Sequence, residues 1–175
     1  MRRISTSVRR FAWRLTANLP GRHHGRIVLT DRHGAALSAA GRTLTAVGQL
    51  PNGLAYASQL QVVNEGGTVT LDGNTLVFHG CDALTLILGA GTSFADGQAP
   101  LPRVQAQVAA AAAKGWPRLQ AEHERDVAAL LGRVQLDLGA SPGERRALTT
   151  DARLAAYTKD GGDPELEALY FQFDR

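Results

Sequence analysis

Four consecutive residues, His79-Gly80-Cys81-Asp82, bring together three side-chain types that bind metals. A zinc site needs three or four such ligands at suitable spacing. The other candidates, His23, His24 and His33, lie far off in sequence and form no second ligand cluster. The segment therefore reads as a strand-end loop carrying an ordinary thiol. Gly89-Ala90-Gly91-Thr92-Ser93 has the glycine content of a phosphate loop and follows an apolar run. Neither a helix nor a Gly-Lys-Ser/Thr follows it, so it reads as a glycine-rich strand exit. Ser93 and Ser141 could be joined on paper with a histidine and an aspartate into a triad, but the Gly-x-Ser-x-Gly elbow is absent. Glu122 and Asp126 are four apart and could face one groove as a carboxylate pair. A solvated helix face beside an apolar stripe is the simpler reading. Trp116 and Tyr56 are of the type that stacks on sugars, although single aromatics more often anchor cores. Chemistry alone thus assigns no catalytic residue, no metal ligand and no cofactor-binding residue, and no cofactor is expected.

The elements that would position these groups change period once along the chain. Residues from about 11 to 95 read as short strands separated by turns. Ile27, Val28 and Leu29 lie in a strand at Arg26–Thr30, and a second strand spans 42–50 before Leu50-Pro51-Asn52-Gly53. In 54–63, Leu54, Tyr56, Leu60 and Val62 occupy even positions, and Asn64-Glu65-Gly66-Gly67 then turns the chain. Thr68-Val69-Thr70-Leu71 and Thr75-Leu76-Val77-Phe78 flank Asp72-Gly73-Asn74, a strong hairpin signal. Ala83 to Leu88 is nearly all apolar, as in a strand buried on both faces. This spacing argues for an antiparallel sandwich.

Gly97 to Pro102 forms a breaker-rich joint, after which the period becomes helical. The alanine-rich stretch Arg103–Lys114 is one helix, and Gly115-Trp116-Pro117 ends it. A second helix runs from about Pro117 to Leu131, with Leu119, His123, Val127, Leu130 and Leu131 on one face. Val134 to Leu138 alternates like a short returning strand, and Gly139 to Gly143 is a loop. Thr150 or Asp151 is placed to cap a helix over Asp151–Lys159. Asp163 and Pro164 then start a last helix, whose apolar face is Leu166, Leu169, Tyr170 and Phe173. That helix has neither a glycine stop nor a following segment to cover its aromatics, so the expectation is a piece of a longer protein.

The 175 residues are 44% hydrophobic and 20% charged, which suits an ordinary globular chain. The lone Cys81 cannot form an internal disulfide. No run reaches the roughly 20 apolar residues that span a membrane, and no membrane partner is expected. Residues 1–10 superficially suggest a twin-arginine leader, but Arg9, Arg10 and Arg14 interrupt the place of its apolar core, so no signal peptide is expected there. Residues 1–42 hold nine arginines and one acid, whereas 43–175 hold ten basic and fifteen acidic side chains. The early arginines are spread among apparent strands without a nucleic-acid-binding motif, so a solvated face is expected and nucleic acid is not.

The order of these segments resembles glycoside hydrolase family 95, the inverting α-L-fucosidases and related enzymes. The likeness rests on Leu50 to Leu54, Asn64 to Gly67, Leu84 to Leu88 leading into Ala90 to Phe94, His123 to Leu131 before Val134 to Leu138, Leu148 to Leu154, and above all Leu166-Glu167-Ala168-Leu169-Tyr170-Phe171-Gln172-Phe173-Asp174-Arg175. It spans about Arg14 to Arg175. The resemblance implies an α+β chain: a partial antiparallel β-sandwich over 11–98, a helical linker with a short strand over 99–147, and over 148–175 the first helix of a truncated (α/α)6 barrel. Residues 1–10 are left unassigned. It implies a parent that cleaves terminal α-L-fucosyl or related bonds with inversion, is often secreted or periplasmic, and meets carbohydrate. The family's catalytic groups belong to later barrel sequence, so no catalytic residue is carried over and the chain alone is expected to be inactive. The alternative is a non-catalytic β module that binds carbohydrate or protein, with exposed apolar surface driving self-association.

Overall fold

The computed structural model describes residues 9–174. The expectations for residues 1–8, and for Arg175 in the terminal motif, lie outside the described residues, while Arg9 and Arg10 open the first strand. The fold is α+β; the described residues form eight antiparallel strands in two sheets followed by helices. The chain divides into two compact units, one up to Gln120 and one from Ala121.

The first unit holds β1 (Arg9–Thr16), β2 (His23–Val28), β3 (Ala36–Ala40), β4 (Thr43–Gln49), β5 (Ala55–Glu65), β6 (Thr68–Asp72), β7 (Thr75–Cys81), β8 (Ala83–Thr92) and helix α1 (Leu101–Lys114). One sheet has the order β1-β8-β5-β4-β3 and the other β2-β7-β6. Side chains on a strand alternate between faces, and β8 carries apolar residues on both. Leu84, Leu86 and Leu88 point into a core shared with Leu44, Leu60, Val62, Leu76 and Cys81. Ile87 points the other way, into a second core with Ala57, Val104, Val108 and Ala111. The sheet is therefore covered by the smaller sheet on one side and by α1 on the other. Val104, Val108 and Ala111 recur at helical spacing and are the buried residues of α1. The helix sits close because Gly89 lies beneath it; a Cβ there would stand 2.6 Å from Val108 Cγ2.

Two turns carry the sandwich. Gly73 and Asn74 join β6 to β7, with φ +58° at Gly73 and no positive φ among the described non-glycine residues, the pattern of a type II′ hairpin. Gly66 and Gly67, at φ +63° and +58°, take the chain from β5 in one sheet to β6 in the other. The Asn64 amide donates to the Gly66 carbonyl at 2.8 Å and holds that corner.

The second unit contains α2 (Trp116–Leu131) from Ala121 onward, α3 (Gly143–Arg146), α4 (Thr150–Asp160) and α5 (Pro164–Asp174). The expected short strand over Val134–Leu138 does not form. These residues are irregular, and Val134 and Leu138 remain exposed at 50% and 46%. No strand among the described residues pairs with these five, so alternation alone does not make them a strand and their exposed backbone is left to water. The expected loop over Gly139 to Gly143 is irregular through Pro142, and the one-turn α3 begins at Gly143. The N-cap position of α4 is Thr149, not Thr150 or Asp151, and the Thr149 side chain makes no capping hydrogen bond. Within α5, Leu166 is buried, whereas Leu169, Tyr170 and Phe173 are exposed at 50%, 70% and 86%.

Candidate functional site

The residues first singled out for chemistry in the strand unit serve the sandwich. Cys81 is fully buried at the end of β7, its Sγ 3.7 Å from the Thr68 carbonyl. The His79 ring meets His24 edge-on at 4.3 Å, and His24 Nδ1 accepts from the Gly80 amide at 3.3 Å. Asp82 Oδ1 accepts from the Gly21 amide at 2.6 Å. Among the described residues no group of three or more His, Cys, Asp or Glu side chains could hold a metal ion. Gly89 to Thr92 lies within β8 and not in a loop, and Arg103 donates to the Thr92 carbonyl at 2.9 Å. Ser93 Oγ accepts from the Ala55 amide at 3.1 Å, a strand-closing contact.

Tyr56 does not present a free ring either. Its hydroxyl donates to Asp31 Oδ1 at 2.9 Å, and its side chain lies over Gly48, where any Cβ would stand 2.4 Å from the hydroxyl oxygen and 2.5 Å from the ring. Burial and then the Asp31 carboxylate raise the Tyr56 pKa, so the phenol stays protonated. Asp31 is held below its ordinary value, first by the Ala35 amide and also by the Tyr56 hydroxyl. Trp116 is half-buried at the start of α2. In the second unit, Asp126 lies on the exposed part of α2 while Glu122 is half-buried.

The concentrated polar site of the second unit centres on Asp163, which is 0% exposed. Asp-Pro is the sequence signal that places it there: Asp163 is the N-cap of α5 and Pro164 the first helical residue. Asp163 Oδ1 accepts from the Leu166 amide at 3.1 Å, closing the cap. The same carboxylate takes both arms of the Arg153 guanidinium, Nε at 2.8 Å and Nη2 at 2.5 Å. Ser141 Oγ donates to Oδ1 at 2.5 Å and itself accepts from the Glu165 amide at 3.0 Å. One buried carboxylate thus ties together the loop before α3, helix α4 and the start of α5. Beside it, Leu136 to Ala140, Glu165 and Ala168 line an open groove of about 420 Å³.

The Arg153 fork, more than any other contact, drives the Asp163 pKa well below the ordinary aspartate range, against the opposing effect of burial. The folded carboxylate therefore refuses a proton that the unfolded chain accepts near pH 4. The stability this gives is complete above that pH and declines as the pH falls towards the lowered folded value. We expect amide-exchange protection at Glu165 and Leu166 to weaken steadily below about pH 4. An Asp163→Asn variant should lose most of this acid dependence; an unchanged acid profile in that variant would show that other groups govern it.

Sequence reasoning found the Asp163 cap but not its partners. Arg153 and Ser141 lie ten and twenty-two residues away, and only the path of α4 and the preceding loop brings them in. Tyr157 adds a second link between α4 and α5, donating to Glu167 Oε1 at 2.9 Å. Arg145 of α3 pairs with Asp160 at the C-terminal end of α4.

Residues 115–175 match the family model described as the glycosyl hydrolase family 95 catalytic domain. The matched stretch contains α2 to α5, Ser141, Arg153 and Asp163. No curated protein matches the chain. The resemblance to glycoside hydrolase family 95 is thus supported by a family match over the helical part of the chain.

Proposed function

We propose that this chain carries the sandwich side and the helical start of a family 95-type glycoside hydrolase, and that it does not hydrolyse glycosides by itself. The match of residues 115–175 to that catalytic domain is the observation that carries the reading. The parent activity is inverting hydrolysis of a terminal α-L-fucosyl or related bond, with carbohydrate as the partner met through the parent enzyme.

The inactivity follows from what inverting hydrolysis requires. One carboxylic acid must hold a proton near neutral pH, and a second carboxylate must activate a water in a gap of roughly 6.5–9.5 Å. A general acid of this kind needs a raised pKa. Among the described residues of the matched segment, the displaced carboxylates Asp151 and Asp163 are both moved downward. Asp163 is also fully engaged by Arg153, Ser141 and the α5 cap. Asp137 Oδ1 accepts from the Gly139 amide at 2.9 Å, and Glu167 accepts from Tyr157. These groups build helix junctions.

The test is an assay of the purified full chain with an aryl α-L-fucoside. Release of the aryl group should stay at the no-protein background. Turnover that follows the chain through successive columns and vanishes on its immunodepletion would refute the inactivity.

A further inference from the structure

Glycine follows asparagine once in the chain, at Asn52-Gly53, and aspartate three times, at Asp72-Gly73, Asp96-Gly97 and Asp160-Gly161. A glycine nitrogen is the backbone amide best able to attack the side-chain carbonyl before it, because no Cβ obstructs the approach. The three aspartates are each tethered to an arginine. Arg26 holds Asp72 at 2.6 Å, Arg103 holds Asp96 at 2.5 Å, and Arg145 holds Asp160. Asn52 lies in the exposed turn between β4 and β5, where the Leu50 carbonyl accepts from the Gly53 amide at 2.9 Å and Pro51 fills the second position. Its side chain bonds within that turn: Oδ1 accepts from the Leu54 amide at 3.1 Å, which folds the carboxamide back along its own chain. Gly53 stands at φ +84° with no atom within 4 Å of the place of a Cβ.

We propose that Asn52 is a modification site, at which the side-chain amide is lost through a succinimide to give aspartate and isoaspartate. The Gly53 nitrogen, its proton passed to hydroxide in the solvent, forms a bond to Asn52 Cγ. The Cγ–Nδ2 bond then breaks, and ammonia leaves with a proton from water, which returns the hydroxide. Water opens the ring at either carbonyl, giving aspartate from one and isoaspartate from the other. The Leu54 N–H donates to the oxygen on which negative charge builds during the attack. The open space around Gly53 admits the ring. An aspartate must take up a proton before water can leave, whereas the carboxamide releases ammonia from its neutral form. Asn18, Asn64 and Asn74 precede Leu19, Glu65 and Thr75, whose side chains crowd the attacking nitrogen. The bond from the Gly53 amide to Leu50 is the brake. The turn must open before that nitrogen can react, so the rate follows local opening.

The test is peptide mapping of the full chain after prolonged incubation in mildly alkaline buffer, with fragmentation that separates isoaspartate from aspartate. Asn52 should convert roughly tenfold or more faster than Asn18, Asn64 or Asn74, and faster than the three Asp-Gly turns isomerise. Gly53→Ala should slow the conversion by roughly tenfold, since its Cβ blocks the nitrogen. Gln49→Ala removes the bond from Gln49 Nε2 to the Gly53 carbonyl at 3.0 Å and leaves the nitrogen unobstructed. It should loosen the turn and speed the conversion several-fold. Isoaspartate lengthens the backbone by a methylene, so amide protection at Gly53 should fall in the converted fraction. Conversion at Asn52 no faster than at the other asparagines or the Asp-Gly turns overturns the proposal. So does a rate that neither substitution changes.

Discussion

Gly67→Ala is expected to destabilise the strand unit by about 3 kcal/mol or more. Two independent penalties combine there. Gly67 holds φ +58°, in the left-handed region that an L side chain adopts at a cost. The added Cβ would also lie 2.3 Å from the His79 carbonyl oxygen and 2.4 Å from the carbonyl of Gly80. Both neighbours are backbone, so no rotamer change can open the space. Relief requires β7 to move away from the corner, and β7 carries Leu76 and Cys81 into the inter-sheet core. Gly73→Ala is the matched control. It has the same φ of +58° but no atom within 4 Å of the new Cβ, so it should cost only the backbone penalty. Denaturant unfolding of the two variants separates the effects, and equal losses would show that the close approach at Gly67 is unimportant.

Asp163→Ala is the second large effect, and it falls on the helical unit. The substitution leaves the Arg153 guanidinium, whose side chain is 15% exposed, without its bidentate partner. It also strips the α5 cap and the acceptor of Ser141. Removing one member of a buried pair costs far more than replacing both. The expected outcome is a fall of roughly 10 °C or more in the helical melting transition, with loss of amide protection at Leu166. Asp163→Asn keeps a capping oxygen and should lose less. An Asp163→Leu, Arg153→Met double variant should recover part of the loss. If the double variant proves no better than Asp163→Ala, the penalty does not lie in the stranded guanidinium.

Much of the strand unit was legible because its signals are local. The β6–β7 hairpin follows from two alternating runs around Gly73, and the two-sided burial of β8 follows from its unbroken apolar run. Strands β1 and β3 carry weaker signals. In β1 the alternation is confined to Phe11, Trp13 and Leu15 within an arginine-rich stretch, and Ala-Leu-Ser-Ala-Ala in β3 has little side-chain bulk to show a period. The same locality misled at Val134–Leu138, where alternation is present but no strand among the described residues pairs with it. At the Asp163 site the cap could be read from Asp-Pro alone. The convergence of Arg153 and Ser141 could not, since it depends on how α4 and the preceding loop fold back. On α5 the stripe read from the sequence divides, with Leu166 buried and Tyr170 and Phe173 exposed.

The pairing of β1 with β8 also sets a timetable for synthesis. Arg9 meets Ala90 and Thr16 meets Ala83, so β1 must wait for β8 to be made. At roughly 5–20 residues per second, that delay is several seconds. Local hairpins such as β6–β7 close within microseconds of emerging. During the interval β1 hangs from the nascent chain with Phe11, Trp13 and Leu15 bare, an attractive target for a chaperone or for the neighbouring nascent chain on the same messenger RNA.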